Sequence, residues 1–283
     1  SSKFNCVMDI GTTNANVFHL VNSTMRNAIT NDTSYNCFNV LNNNVSAHLF
    51  DLTSSEVVIE AGLNVLSGGG PQQPLYGRHL LNDKSTLTIN GTYNSFVDFQ
   101  MTLVSSTGAG DPTLVLNNGS SINLINVNLT PFIYDPAYVS RVATLTNNCM
   151  LTINNSKIEV SGITNESSLD IHNNSSVKFT DVRLITGDST NKAAVDVSNN
   201  SKFIMDKTPI EDSQLSVGDS NSVGTCFNNS IISLSDTQVT STGLKGFIAD
   251  IGSKLNIHGT VGIPQIINIS GTTGTADGVI QLS

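Results

Sequence analysis

The chain has 283 residues, a formal net charge of −9 and a pI near 4.8, with 38% hydrophobic, 6% aromatic and 12% charged residues and no Trp. An acidic chain with only 13 Lys and Arg carries no footprint for nucleic acid or an anionic membrane surface, and no run of about 18 apolar residues is present to span a bilayer. Charge at half the usual share of about 25% leaves Asn, Ser and Thr to cover the surface, and so few aromatics suit a narrow core of Val, Ile and Leu.

The chain opens Ser1-Ser2-Lys3-Phe4, with neither initiator Met nor signal peptide, as expected of a processed chain or a fragment. Strand-like alternation of apolar and polar residues follows at 6–10, 16–21, 38–41 and 56–59, at irregular spacing. Residues 1–79 are therefore expected to form either an N-terminal cap that covers strand edges or an assembly segment. Ser67-Gly68-Gly69-Gly70-Pro71-Gln72-Gln73-Pro74 reads as a loop or hinge.

Residues 80–262 repeat one pattern: apolar–x–apolar–x–Asn–Asn–Ser–x–apolar–x–apolar. Leu169-Asp170-Ile171-His172-Asn173-Asn174-Ser175-Ser176-Val177-Lys178-Phe179 is one copy, and Val195-Asp196-Val197-Ser198-Asn199-Asn200-Ser201-Lys202-Phe203 is the next. Looser copies centre on Asn117, Asn147, Asn228 and Gly252. Alternation on each side of the Asn pair predicts two strands, each with one buried face. The pair itself predicts a tight bend, because Asn tolerates left-handed backbone and bonds the local chain. Asn147, Asn173 and Asn199 follow one another at 26 residues. A meander returns sooner, and no helical pattern fills the interval, so a period in the 20–50 range predicts a solenoid. A second bend near 154–155, 180–181, 206–207, 235–236 and 258–259, then a third short strand, makes a three-faced coil of about 25–30 residues. The fold class is all-β, a right-handed parallel β-helix, with stacked Asn at Asn117, Asn147, Asn173, Asn199 and Asn228 forming a ladder about 4.8 Å per step.

Two loops are expected to interrupt the body. One spans 105–112; the other spans 130–141 and concentrates Phe132, Tyr134 and Tyr138. Residues 263–283 lose the bend but keep alternation, and are expected to close the solenoid or pair with another subunit.

Coil pattern and Asn bends over roughly 80–269 resemble the right-handed parallel β-helix superfamily of pectate lyases, phage tailspikes and bacterial autotransporter adhesins. That resemblance implies fold. It also implies a search for carboxylates on one face, since enzymes of this kind cut polysaccharides with such clusters.

Asp170, Asp196 and Asp250 occupy equivalent repeat positions, so Asp170 and Asp196 are expected to stack, pointing outward. The spacing suits a catalytic or cation-binding pair; it equally suits two solvated like charges, the preferred reading. Asp181, Asp206 and Asp236 are read as equivalent turn residues. Phe132, Tyr134, Asp135, Tyr138 and Arg141 are the binding candidates, aromatic faces for sugar rings with polar groups for hydroxyls; the alternative is that they cover a coil edge or an oligomer seam. The five His residues are scattered, no metal motif or phosphate loop occurs, and no cofactor is called for. Cys149 and Cys226, three coils or about 14 Å apart, are too distant for a disulfide and are expected as buried free thiols; a Cys6–Cys37 pair stays open. Asn-x-Ser/Thr triplets such as those at Asn22, Asn44, Asn90, Asn128, Asn165 and Asn268 are what this composition produces by chance.

The expected role is an extracellular or virion-surface structural protein (a fibre, spike or adhesin subunit) partnered by copies of itself or by a cell-surface glycan. The alternatives are a tailspike-type depolymerase and a non-catalytic carbohydrate-binding module.

Overall fold

The computed structural model describes residues 8–10, 18–26, 38–40, 48–60, 75–76, 78–91, 99–103, 105–107, 111–131, 138–160, 163–164, 166–186, 188–208, 213–218, 220–241, 246–260, 267–269 and 279–282. Among these, every regular element is a strand. The strands stack as a β-solenoid with three faces, as the two bends and the third short strand of each repeat predict.

The first face runs Phe18–Val21, His48–Thr53, Arg78–Asn82, Pro112–Asn117, Tyr138–Thr146, Leu169–His172, Asp188–Ser198, Ser220–Phe227 and Phe247–Ala249, each hydrogen-bonded to the next. The second face follows the bend in each coil, from Thr24–Arg26 through Glu56–Glu60 and Thr86–Asn90 to Lys254–His258 and Val279–Leu282. The third face includes Phe99–Leu103, Val127–Pro131, Ser213–Val217 and Thr237–Ser241. Coil-to-coil pairing is parallel. Strands from the first 79 residues join this stack in the same sense.

Register places like residues over like. The inward column of the first face reads Leu52, Leu81, Leu116, Leu145, Ile171, Val197, Cys226 and Ala249, all buried. The facing column reads Val57, Leu87, Ile122, Leu151, Val177, Phe203, Ile232 and Leu255. Cys226 thus holds an aliphatic slot, which is how a buried free thiol packs. Cys149 and Cys226 are indeed free and buried, and burial pushes the Cys226 thiol up to about 11. Cys6 and Cys37 lie outside the described residues.

Left-handed backbone marks each bend: Asn147 (φ 65°) and Asn148 (61°), Asn173 (54°) and Asn174 (61°), Asn199 (58°) and Asn200 (61°), Asn228 (56°) and Asn229 (61°). The Asn ladder is present. Asn147 Nδ2 donates to Asn118 Oδ1 at 3.2 Å, Asn173 to Asn147 at 3.2 Å, Asn199 to Asn173 at 3.0 Å and Asn228 to Asn199 at 2.9 Å. Asn117 makes an inter-coil amide bond, donating from Nδ2 to Asn82 Oδ1 at 3.0 Å, but as a bend residue it is corrected by one position. It ends its strand opposite Thr146, and the left-handed pair is Asn118 (54°) with Gly119 (77°).

Beneath the Asn ladder runs a second, buried one that the sequence pattern contained but sequence reasoning did not identify. Its rungs are the residues just after each bend, Ser175, Ser201 and Ser230 after Asn pairs, Ser253 after Gly252, and Cys149 where the Ser is replaced. The backbone N–H of Cys149 donates to Ser175 Oγ, that of Ser175 to Ser201 Oγ, that of Ser201 to Ser230 Oγ and that of Ser230 to Ser253 Oγ, at 3.1–3.2 Å. Each hydroxyl satisfies an amide that the sharp bend would otherwise leave buried and unpaired.

Two further sequence expectations shift. Asp206 stands opposite Thr180, one position before Asp181, and pairs with Lys178 at 3.3 Å instead of forming the bend. Parts of the two expected loops are strand instead, and residues 108–110 and 132–137 lie outside the described residues. Ser105–Thr107 and the start of Tyr138–Thr146 are strands that pair antiparallel. Arg141 therefore belongs to the first face and not to a loop.

Candidate functional site

The outward positions of the first face carry the only cluster of three potential metal-ligating side chains among the described residues. Its scaffold is three consecutive parallel strands, Leu169–His172, Asp188–Ser198 and Ser220–Phe227. Ladder pairing sets Asp170 opposite Asp196 and His172 opposite Ser198. Residues two apart on a strand share a face, so the four side chains form a two-by-two grid pointing away from the core.

Neighbouring coils complete the grid. Arg141, one coil below, is 9% exposed at its side chain; its guanidinium donates to Asp170 Oδ2 and to the Ser167 carbonyl at 2.7 Å. Thr225, one coil above, donates from Oγ1 to Asp196 Oδ1 at 2.7 Å. His172 Nδ1 and Ser198 Oγ are 2.6 Å apart. Asp170 is 17% exposed at its side chain. Burial pushes its carboxyl above the ordinary range. Arg141 and His172 pull it back, and the like charges of Asp196 and Glu166 push it up again.

The expected stacking of Asp170 on Asp196 is therefore present. Asp250 does not continue the column: Ile248 stands opposite Thr225, while Asp250 lies at the bend and accepts from the Asn228 N–H at 2.9 Å. Those bonds hold its carboxyl below the usual range. Of the loop candidates, Phe132, Tyr134 and Asp135 lie outside the described residues. Of Tyr138 the backbone is described, opposite Thr107. Arg141 is in place and directed at the carboxylate grid, which joins two groups of candidates that the sequence reading kept apart.

Sequence reasoning missed His172, Ser198 and Thr225 as members of this site. The signal was available: Asp170-x-His172 and Asp196-x-Ser198 share the 26-residue spacing of the Asn bends. Chemically, the array offers two carboxylates, an imidazole and a fixed guanidinium on a rigid surface. Asp170, His172 and Asp196 are the residues that can ligate a cation, and the whole grid can hydrogen-bond a polar ligand. Comparison of the chain with protein-family models, with curated proteins and with solved structures finds no match.

Proposed function

We propose that the protein is a structural rod of an extracellular or virion surface, a fibre, spike or adhesin subunit on a right-handed, pectate-lyase-like β-helix, assembling through its ends or one face. The observation that carries this reading is the continuous parallel stack, in which a left-handed bend, a buried rung (Ser in most coils, Cys149 in one) and a buried apolar column recur from coil to coil. Nine stacked strands at about 4.8 Å give a spacer roughly 40 Å long. Its polar, weakly charged outer positions favour display in water. Large apolar side chains exposed among the described residues are three separate ones, Val21, Met150 and Ile251, which favours end contacts over a broad apolar seam.

Negative-stain electron microscopy at two protein concentrations tests the proposal. Filaments or elongated oligomers that lengthen with concentration are expected. Dispersed single rods at both concentrations would remove the assembly claim.

The Asp170–Asp196 pair favours a second reading, a polysaccharide depolymerase. Adjacent coils bring the carboxylates together, and Asp170 is raised toward the protonated form that a general acid needs. Release of reducing ends from a polysaccharide panel, abolished by Asp196→Asn, would establish it; no release from any substrate would leave the structural reading.

A further inference from the structure

We propose that Asp170, His172 and Asp196 form a binding site for a first-row divalent transition ion of the zinc type. One donor atom from each residue lies within 4.8 Å of one from each of the others. Modest side-chain rotation closes that spread onto bonds of about 2.0–2.2 Å.

Four features distinguish this set from a patch of surface acids. The first is its mixed chemistry. An imidazole joins two carboxylates, the donor type that selects zinc-like ions over calcium, which takes six to eight oxygens. The second is that each ligand keeps a donor atom after its internal bond. Arg141 engages Asp170 Oδ2 and leaves Oδ1. Thr225 engages Asp196 Oδ1 and leaves Oδ2. Ser198 engages His172 Nδ1 and leaves Nε2. These bonds are the outer shell that fixes ligand orientation at metal sites. The third is preorganisation: all three residues sit on strands locked in consecutive register, not on loops. The fourth is charge. Two carboxylates side by side against one guanidinium leave a negative charge uncompensated in a partly desolvated site, and a dication satisfies it. The outward face leaves the remaining coordination positions to water or to a ligand. The display role neither requires this site nor implies it, so the two stand or fall separately.

The test is isothermal titration of tag-free, EDTA-treated, dialysed full chain with zinc chloride, with magnesium and calcium chloride as parallel titrants. One equivalent of zinc is expected to bind with micromolar or tighter affinity. His172→Gln and Asp196→Asn should each weaken it at least about tenfold. Far-UV circular dichroism confirms that each variant folds. As a measurement independent of the variants, cobalt(II) added to the wild-type chain should give visible absorption bands stronger than those of the aqueous ion. Absence of zinc binding, binding undiminished in both variants, a preference for calcium, or a cobalt spectrum identical to the aqueous ion would each overturn the assignment.

Discussion

His79 is the residue in this chain most at odds with its surroundings. It is fully buried on the first face, opposite Phe50 and Leu114. Its ring stacks on Phe50 at 5.4 Å, which in turn stacks on Phe18 at 5.3 Å. Neither ring nitrogen has a hydrogen-bond partner, so the imidazole behaves as a third aromatic in a dry stack. Burial, then the neighbouring His48, lowers its pKa to about 3. His48 is itself lowered, by burial and then by Arg78, with Asp51 opposing. The folded state therefore binds fewer protons than the unfolded chain between pH 3 and 6.5. Stability from this group is complete above pH 6.5 and declines as pH falls below it, by about 2 kcal/mol at pH 5. Replacing the imidazole by a side chain without polar atoms removes that dependence. Urea unfolding of His79→Leu at pH 7 and pH 5 is expected to lose about 2 kcal/mol less between the two conditions than wild type does. An unchanged difference would mean that the ring is hydrated or paired in solution.

At the scale of the single coil, the bend is the element that sets the fold, and two independent contributions hold it. One is backbone: Asn173 sits at φ 54°, which Ala adopts at a cost of about 1–2 kcal/mol and Gly adopts freely. The other is the ladder, in which Asn173 donates to Asn147 and accepts from Asn199. These amide bonds are solvent-exposed, so each belongs at the low end of about 0.5–1.5 kcal/mol. Denaturant midpoints for Asn173→Ala and Asn173→Gly separate the two, with the Ala variant expected lower, and equal midpoints would show that the left-handed backbone carries no strain. The same bend explains what was legible in the sequence. Turn chemistry is local, so Asn147, Asn173, Asn199 and Asn228 announce themselves. Column membership is not local: it depends on the length of each connection between coils. Assigning Asp250 to the Asp196 column, Asp206 to the Asp181 position, and the Asn118 bend to Asn117 all reflect slips of one or two residues in that count, and a one-residue slip moves a side chain to the other face. The site was half legible for this reason. Asp170 over Asp196 follows from the regular 26-residue step, while Arg141, 29 residues before Asp170, follows a stretch with no Asn repeat to count from.

For the whole molecule, the consequence of stacking is that each coil touches mainly the coils on either side. The Arg141–Asp170–Asp196–Thr225 array spans four successive coils, yet no contact within it skips a coil. Stability is then a sum of coil terms and nearest-neighbour interfaces, and damage should stay local. Phe203 offers the test. It is buried in the facing column and meets Phe179 of the preceding coil edge-on at 5.6 Å. Phe203→Ala leaves a cavity at about 3–5 kcal/mol. Hydrogen exchange read by mass spectrometry should show faster exchange in Lys202–Asp206 and in its ladder neighbours Ser176–Thr186 and Ile231–Ser235. Glu56–Glu60, several coils away, should keep wild-type protection. Uniform loss along the chain would instead mean that the rod opens as one cooperative unit, with interface terms so dominant that no coil unfolds alone. For the surface rod proposed above the distinction has a mechanical meaning. A locally unfolding solenoid absorbs a defect or a pull in one coil and keeps its length elsewhere, whereas a fully cooperative one holds rigidly until the whole stack is lost.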